Sequence, residues 1–246
     1  MTDEHTTTVP PIEVDLDDFD DPGPWDHLAL ALDVDDHVAA MRLAGQLRPF
    51  FRVAKVGLEL YSAVGPEAVT GLMNLGYDVF CDLKLHDIPN TVNKAARVIG
   101  ALGASYLTVH TSGGVDMVRA GVEGFAEGAE RAGLPIPVTL GVTVLTSDPD
   151  ASEEVLRHRI GVAIEAGCGG VVCGAPDLGT VREIGPDLFT LVPGIRPAGS
   201  DANDQVRVAT PVDARAAGAD LLVIGRAVTQ AEDPEAAAAS IVESMS

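Results

Sequence analysis

Three charged residues in one short segment could do chemistry. Asp82, Lys84 and Asp87 lie within six positions, directly after the run 78–81 (DVFC). That run is rich in β-branched and aromatic residues, which predicts a strand, and residues two apart on a strand share a face. The Asp82 and Lys84 side chains should therefore point the same way, and Pro89 should end the strand just past Asp87. Because buried charges are costly unless they are paired, we interpret the segment as a reaction centre. The alternative is a solvated ion pair at an exposed strand end.

Composition narrows the classes of function. The chain has 246 residues and a formal net charge of −21. A β/α barrel typically takes about 250 residues, and so large a negative charge argues against nucleic acid or an anionic membrane as a partner. No apolar run reaches the roughly 18 residues of a membrane span, and residues 1–41 lack the lysine and arginine of a signal peptide. Cys81, Cys168 and Cys173 have no metal-binding spacing, which predicts buried thiols in a reducing cytoplasm.

Lysine is scarce in this acidic chain. Only Lys55, Lys84 and Lys94 occur, and arginine supplies the remaining positive charge. Two explanations of the acidic composition stay open: a codon bias, or an adaptation to high salt, where the repulsion between carboxylates is screened. On either explanation, Lys55 and Lys84 lie in predicted strands that could carry an active site.

These charged groups need a scaffold, and the rest of the chain predicts one. Short apolar runs predict eight strands, at 27–34, 51–57, 78–85, 106–111, 137–145, 170–174, 190–194 and 220–225. Amphipathic segments between them predict helices that include 36–47, 67–75, 91–102, 115–132 and 153–166. Glycines stand where helices should end in a left-handed C-cap, namely Gly76, Gly103, Gly133, Gly167 and Gly218.

The alternation of strands and helices indicates a parallel sheet. We predict an α/β fold with a single catalytic domain, residues 25–246, in which the eight strands close as a parallel β/α (TIM) barrel. A doubly wound open sheet is the alternative, but no GxGxxG motif follows the first strand. Residues 1–24 are acidic and contain four prolines, so we expect a flexible N-terminal extension outside the barrel.

Barrels of this kind carry their chemistry at the carboxyl ends of the strands. In the first strand, leucines alternate with Ala29, Ala31 and Asp33. With the leucines outward, Asp33 would lie in the barrel mouth, although it could instead cap the following helix. Lys55 ends the second strand, where function explains a lysine better than surface exposure does. Thr146 closes the fifth strand, or belongs to the polar turn that follows it.

The last two predicted strands are followed by arginine, glycine and polar residues. Arg196 follows the seventh strand and leads into a long polar loop that contains Gln205. Gly225 and Arg226 follow the eighth strand. Loops after these two strands bind phosphate in many barrels. A glycine allows a ligand to approach the backbone amides, and an arginine offers several donors to phosphate oxygens. The pattern therefore predicts a phosphate site.

In combination, these segments resemble the orotidine 5′-phosphate decarboxylases, in particular their bacterial, stand-alone type. The signature is the segment 82–91 (DLKLHDIPNT). Further matches are 30–33 (LALD), 55–57 (KVG), 142–147 (VTVLTS), 193–196 (PGIR), 203–207 (NDQVR) and 224–226 (IGR). The resemblance covers residues 27 to about 235, and it departs from the family at no motif position.

The resemblance implies conversion of orotidine 5′-phosphate to uridine 5′-phosphate and carbon dioxide, the last step of de novo pyrimidine synthesis. No metal or organic cofactor is implied. Lys84 would protonate C6 of the pyrimidine, with Asp82 and Asp87 on either side of it. Lys55 would complete a network of alternating charge. The resemblance also implies a homodimer, in which Asp87 and Thr91 serve the neighbouring subunit's site.

The same resemblance assigns residues that bind the nucleotide. Asp33 and Lys55 would hold ribose hydroxyls. Asp82 would lie beside the substrate carboxylate, and Thr146 would contact the pyrimidine edge. The phosphate would be held at the ends of the seventh and eighth strands, by Arg196, Gln205, Gly225 and Arg226.

Elementary chemistry supports these implied roles. Loss of carbon dioxide from C6 leaves an electron pair that no adjacent carbonyl or iminium group can delocalise, so the protein has to stabilise it with a fixed cation. Carboxylates beside Lys84 favour its charged form. The phosphate is remote from the reacting carbon, so its binding energy can be used to close a loop over the site.

Two other functions remain open for this sequence. Magnesium-dependent sugar-phosphate decarboxylases and aldolases resemble the chain at strands three and eight. They usually carry a glutamate where Lys55 stands, and a lysine there would repel Mg²⁺. The second of these hypotheses is a non-catalytic nucleotide-binding barrel, although phosphate binding alone needs none of Lys55, Asp82 and Lys84.

Overall fold

The computed structural model describes residues 23–145, 152–197 and 209–246. Within them, eight parallel strands close into a barrel in the order in which they occur along the chain. The strands are β1 (Leu28–Leu32), β2 (Val53–Gly57), β3 (Asp78–Leu85), β4 (Tyr106–His110), β5 (Val138–Val142), β6 (Gly170–Val172), β7 (Phe189–Val192) and β8 (Leu221–Ile224). The predicted barrel is confirmed, and the doubly wound alternative is wrong. All eight predicted strands occur, most of them shorter than predicted.

Helices follow the strands around the outside of the barrel. They are α1 (His37–Leu47), α2 (Leu58–Val64), α3 (Glu67–Asn74), α4 (Pro89–Ala101), α5 (Val115–Arg131), α6 (Glu153–Ala166), α7 (Leu178–Ile184), α8 (Pro211–Ala216), α9 (Arg226–Thr229) and α10 (Pro234–Ser244). All five named predictions are confirmed within two residues at each end. The largest difference is at the start of α4, which begins two residues before the predicted Thr91, because Pro89 can occupy the first helical position, where its missing N–H has no helical partner to lose.

Alternate residues of each strand face opposite sides of the barrel wall. In β1, Leu28, Leu30 and Leu32 pack outward into the core between strands and helices. Ala29 and Ala31 face a smaller core inside the barrel. The leucines are therefore outward and the small residues inward, as the sequence predicts. The next inward position after Ala31 is Asp33, which lies at the open mouth of the barrel.

Two glycines bring α4 and α5 into close contact. A Cβ atom on Gly124 would clash with the carbonyl oxygen of Asn93, and one on Gly128 would clash with that of Arg97. Only glycine allows the two helices to approach so closely. Since α4 begins directly after the charged segment at the end of β3, this packing fixes the direction in which that segment leaves the barrel.

The cysteines behave as the sequence predicts. Cys81, Cys168 and Cys173 are all buried, and none forms a disulfide. Burial raises the pKa of each thiol to about 12. The three side chains are therefore protonated at neutral pH and act as small apolar groups.

Two further predictions concern the N-terminal extension and the absence of a membrane span. Apart from Gly23 and Pro24, the predicted extension 1–24 lies outside the described residues. None of the helices in the described part of the chain is long and apolar enough to cross a membrane.

A hydrogen-bond network ties β7 to β8 at the amino-terminal end of the barrel. The Asp220 carboxylate accepts from the Thr190 N–H at 2.7 Å and from its hydroxyl at 2.9 Å. It also accepts from Arg182 Nη2 at 2.7 Å. Burial alone would raise the pKa of Asp220, but the hydrogen bonds from Thr190 and Arg182 together lower it below its ordinary value. The network therefore stabilises the folded state through an ionised carboxylate.

We expect Asp220→Asn to lower the free energy of unfolding by about 1–2 kcal/mol at pH 7, an amount reduced by partial exposure of the carboxylate. A carboxylate whose pKa is lowered by folding contributes fully above its unfolded pKa of about 4, and that contribution is lost as the pH falls through the folded pKa. Urea titrations should therefore show a difference from wild type that is constant from pH 8 to 5 and shrinks below pH 4. Asp187→Asn, in an exposed turn, is the control and should change stability by less than about 0.5 kcal/mol. A difference that widens in acid would contradict this account.

Candidate active site

A cavity of about 210 Å³ opens at the carboxyl ends of the strands. Its polar wall contains seven of the predicted site residues, namely Asp33, Lys55, Asp82, Lys84, Arg196, Gly225 and Arg226. Its apolar lining includes Val142, Val144, Leu145 and Pro193, which lie in the matched segments 142–147 and 193–196 but were given no role from the sequence. The cavity lining thus combines charged groups with apolar side chains, and apolar side chains suit a planar ring.

Lys55 connects β1, β2 and β3 at the mouth of the barrel. Its side chain is almost wholly buried, and its Nζ lies 2.7 Å from Asp33 Oδ1 and 4.0 Å from Asp82 Oδ2. A Cβ atom on Gly57 would lie 3.0 Å from both Lys55 Nζ and Asp33 Oδ1, so the glycine leaves room for this pair. Asp33 does not cap α1, because Asp36 accepts the hydrogen bond from Ala39 N–H. The helix-cap alternative for Asp33 is therefore wrong.

Lys84 is held by the neighbouring carboxylate. Its Nζ donates to both Asp82 oxygens at 2.8 Å. The Lys84 backbone has a φ of 48°, the only positive φ of a residue other than glycine in the described part of the chain. The pairing of β3 with β4 shifts register between Cys81 and Leu85. The two side chains meet as predicted, but through this bulge rather than through regular alternation along a strand.

Thr108 is a polar neighbour of Asp82 and Lys84 that the sequence analysis did not identify. It lies on β4 with no exposed surface. Its Oγ1 accepts from the Lys84 backbone N–H at 2.9 Å and donates to Asp82 Oδ1 at 3.1 Å. The available signal was weak, namely a threonine at an inward position of a strand next to the charged segment.

His110 lies beside the same strand end. Its ring and that of His86 are 5.6 Å apart, and its Nδ1 is 3.2 Å from Ser112 Oγ. Burial lowers the pKa of His110, and the nearby His86, Arg159 and Lys84 lower it further. The His110 ring is therefore neutral at pH 7 and adds no positive charge beside Lys84.

Asp87 and Thr91 do not reach the cavity of their own chain. Both are exposed, and the Asp87 carboxylate accepts from the Ile88 N–H at 2.6 Å. Among the residues that the structure describes, Asp87 forms no ion pair with Lys84. Ile88, next to Asp87, is 65% exposed, which is high for an isoleucine. The segment thus presents a carboxylate and an apolar side chain to the outside.

Three of the predicted phosphate residues line the same cavity at the ends of β7 and β8. Gly225 follows β8 and Arg226 begins α9. Arg196 follows β7, and it is buried, with its backbone N–H donating to the Ala209 carbonyl at 3.0 Å. Gln205, predicted to bind the same phosphate, and Thr146, predicted at the pyrimidine edge, lie outside the described residues.

The charges in the cavity alternate in sign. Reading across the mouth, Asp33 binds Lys55, Lys55 faces Asp82, and Asp82 binds Lys84. Each ammonium group has a carboxylate beside it, which lowers the cost of holding these charges away from water. Such an arrangement can hold one cation at a fixed point, where it can stabilise negative charge or donate a proton.

Comparisons with known proteins agree on one family. The profile of the orotidine 5′-phosphate decarboxylase / HUMPS family matches residues 26–241. The orotidine 5′-phosphate decarboxylase of Anaeromyxobacter dehalogenans is 45% identical over 89% of this chain and 97% of its own. That of Thermobifida fusca is 46% identical over 87% and 93%.

Solved structures agree with these relatives. The orotidine 5′-phosphate decarboxylase of Lactobacillus acidophilus superposes with a TM-score of 0.75 at 33% identity, over 89% of this chain and 98% of that one. That of Pyrococcus horikoshii OT3 has a TM-score of 0.73 at 30% identity, over 89% and 98%. The chain belongs to the orotidine 5′-phosphate decarboxylase / HUMPS family.

Proposed function

We propose that this protein is an orotidine 5′-phosphate decarboxylase of uridine 5′-phosphate synthesis. The observation that carries the proposal is the Lys84 ammonium group, held by both Asp82 oxygens at 2.8 Å in a cavity that Arg196, Gly225 and Arg226 also line. Relatives of that name match nearly the whole barrel at about 45% identity. The expected localisation is the cytoplasm, where the three thiols stay reduced.

The reaction breaks the bond between C6 and the carboxylate carbon. The electron pair stays on C6, carbon dioxide leaves, and Lys84 donates a proton to C6. Negative charge moves from the carboxylate to C6 as the bond breaks, and a fixed ammonium group aimed at C6 stabilises it more there than in the bound substrate, which is the condition for catalysis. The step needs no metal or organic cofactor, because the lysine supplies both the positive charge and the proton.

Asp82 has two tasks in this proposal. It orients the Lys84 ammonium group toward C6, and it lies beside the substrate carboxylate, which it repels. That repulsion is relieved when carbon dioxide leaves, so it lowers the barrier relative to the bound substrate. Lys55 balances the remaining charge on Asp82 and, together with Asp33, offers partners to the ribose hydroxyls.

The rest of the nucleotide is placed around this centre. The phosphate would lie against Gly225 and Arg226, with Arg196 and Gln205 in support, and Thr146 would contact the pyrimidine edge. Arg226 and Arg196 line the same cavity as Lys84, which supports a single nucleotide that spans both. Binding energy from the remote phosphate can then organise the reacting end.

Lys55 favours decarboxylation over the magnesium-dependent reactions of related barrels. Those reactions place a divalent cation among carboxylates to stabilise an enediolate. Here the Lys55 ammonium group lies between Asp33 and Asp82, so a divalent cation at that point would meet like charge at close range. The relatives named above are orotidine 5′-phosphate decarboxylases.

We also propose that the active enzyme is a homodimer with shared sites. Asp87 and Thr91 are exposed on their own chain, although they belong to the signature segment. Ile88 exposes an apolar side chain between them. In a two-fold dimer, this segment of each chain would enter the partner's cavity and put Asp87 beside the partner's Lys84. The partner carboxylate would then complete the alternation of charge around Lys84.

Purified protein should decarboxylate orotidine 5′-phosphate in the presence of a chelator, seen as a fall in substrate absorbance. Lys84→Ala should lower kcat by at least about 10²–10⁴-fold, because the proton donor is lost. Binding of uridine 5′-phosphate, measured by calorimetry, should persist in the variant. The control is Lys94→Ala, which removes the exposed lysine of α4 and should leave kcat unchanged. Activity of Lys84→Ala within tenfold of wild type would remove this lysine from the mechanism.

Arg226→Ala should raise KM and also lower kcat, if phosphate binding organises the site. Adding phosphite to orotidine, which lacks the phosphate, should then activate the wild-type enzyme and not the variant. Arg131→Ala is the matched control, since it removes an arginine at the exposed end of α5. Kinetics of Arg226→Ala that equal those of the control would place the phosphate elsewhere.

Shared sites can be tested by mixing two inactive variants. If Asp87 serves the partner, Lys84→Ala and Asp87→Ala homodimers are both nearly inactive, whereas each hybrid dimer has one site with both native residues. Random re-pairing of equal amounts makes half the dimers hybrids, so about a quarter of all sites should recover. No recovery after joint refolding, with hybrids shown by mass spectrometry of a tagged chain, would mean that Asp87 serves its own chain.

A further inference from the structure

The bulge in β3 is opposed by a single residue of β4. Cys81 pairs with Leu107 and Leu85 pairs with Val109, so β3 advances four positions where β4 advances two. Thr108 is therefore the one β4 residue that faces the segment 82–84. Its side chain points into the barrel and has no exposed surface. Whatever holds the bulge from the β4 side has to act through this residue.

The Thr108 hydroxyl uses both of its hydrogen-bonding roles at the bulge. The Lys84 N–H can only donate, so Oγ1 accepts from it, at 2.9 Å. The Asp82 carboxylate accepts, so the hydroxyl proton is directed to Oδ1, at 3.1 Å. A hydroxyl has one proton and can also accept, so one group satisfies the backbone of the lysine and the carboxylate that binds its ammonium group.

The backbone of Lys84 needs such support. A φ of 48° is a left-handed conformation that residues with a side chain rarely adopt, and it persists where surrounding contacts hold it. In a regular parallel ladder, the N–H would donate to a carbonyl of the next strand. Here the Thr108 hydroxyl takes the place of that carbonyl. Without it, the N–H would be left without a partner in a half-buried position.

We propose that Thr108 is a positioning residue for the decarboxylation, because its hydroxyl holds the Lys84 backbone and the Asp82 carboxylate in the arrangement that aims the ammonium group. The inference rests on the proposed function, in which Lys84 protonates C6. Thr108 acts through these two residues and need not touch the substrate. It sets where the proton donor stands, because it holds both the Lys84 backbone and the carboxylate that binds the ammonium group.

A purely structural role of Thr108 predicts a different result. If Thr108 only satisfied a buried strand, its loss would lower stability and leave turnover of the folded enzyme unchanged. If it positions Lys84, its loss lowers kcat and leaves nucleotide binding nearly unchanged, since the residues proposed for phosphate and ribose lie on other strands. The split between kcat and KM separates the two roles.

The test is Thr108→Val, which keeps the shape of the side chain and removes the hydroxyl. We expect kcat to fall about 10- to 100-fold, because displacement of a catalytic group by about 1 Å has effects of that order. KM and the Kd of uridine 5′-phosphate should stay within about threefold of wild type. Thr108→Ser, which restores the hydroxyl, should recover kcat to within about threefold.

Thr111→Val is the matched control. Thr111 is also buried and donates to the Val142 carbonyl at 2.6 Å, so its loss removes a buried hydrogen bond near the same end of the barrel. The control should lose stability and keep kcat within about threefold. If the valine variant of Thr108 does not fold, Thr108→Ala with Thr108→Ser as its rescue gives the same comparison.

Three results would overturn the inference: wild-type kcat in folded Thr108→Val or Thr108→Ala, an equal loss of kcat in Thr111→Val, or no rescue by Thr108→Ser. Each of them is distinct from failure of the proposed function, because Lys84→Ala is measured in parallel. An active Lys84→Ala enzyme would reject the role of Lys84 itself. An inactive Lys84→Ala enzyme beside fully active Thr108 variants would reject only the positioning role.

Discussion

Buried positive charge at the barrel mouth is the constraint on which the rest of the site depends. Lys55 is almost wholly buried, and an ammonium group away from water is tolerated only beside anions. Asp33 and Asp82 supply them, and Asp82 is shared with Lys84. Removing Asp82 would take the carboxylate partner from Lys84, and removing Lys55 would take the ammonium partner from Asp33. The barrel makes the sharing possible, because β1, β2 and β3 are adjacent and their ends meet at one point.

Much of this barrel could be predicted, because each strand carries its own signal. The alternation in β1 correctly separates the outward leucines from Ala29 and Ala31. All five glycines expected to end helices have positive φ values, as Gly167 after α6 illustrates. Strand ends could not be predicted, since β5 stops at Val142, where its pairing with β6 stops, and no local pattern encodes that. Helices of four to seven residues, such as α7 and α9, are too short to show a period.

The residues of the candidate site likewise include some that the sequence could predict and some that it could not. Inward alternation was enough to find Asp33 and Lys55, because Asp33 directly follows the regular strand β1 and Lys55 lies within the regular strand β2. The bulge at Lys84 could not be foreseen, since a left-handed backbone inside an apolar run depends on what the opposite strand offers. Thr108 went unnoticed for that reason, as threonine is ordinary in strands. Asp87, which the resemblance assigns to a neighbouring subunit's site, faces outward from its own chain, and its place beside the Lys84 of a second chain stays a prediction.

The left-handed backbone at Lys84 explains how one strand presents two charges to one point. Two residues of a regular strand advance about 6.6 Å, which would separate their side chains. In the bulge, the Lys84 ammonium group reaches both oxygens of Asp82. Glycine would adopt this φ without strain but has no proton to give, so a side chain has to accept a conformation that costs roughly 1–2 kcal/mol. That cost is offset at both ends of the residue, by Thr108 at the backbone and by Asp82 at the ammonium group. The Lys84 ammonium group, the proposed proton donor, is therefore held in place before any substrate arrives, which is what electrostatic catalysis requires.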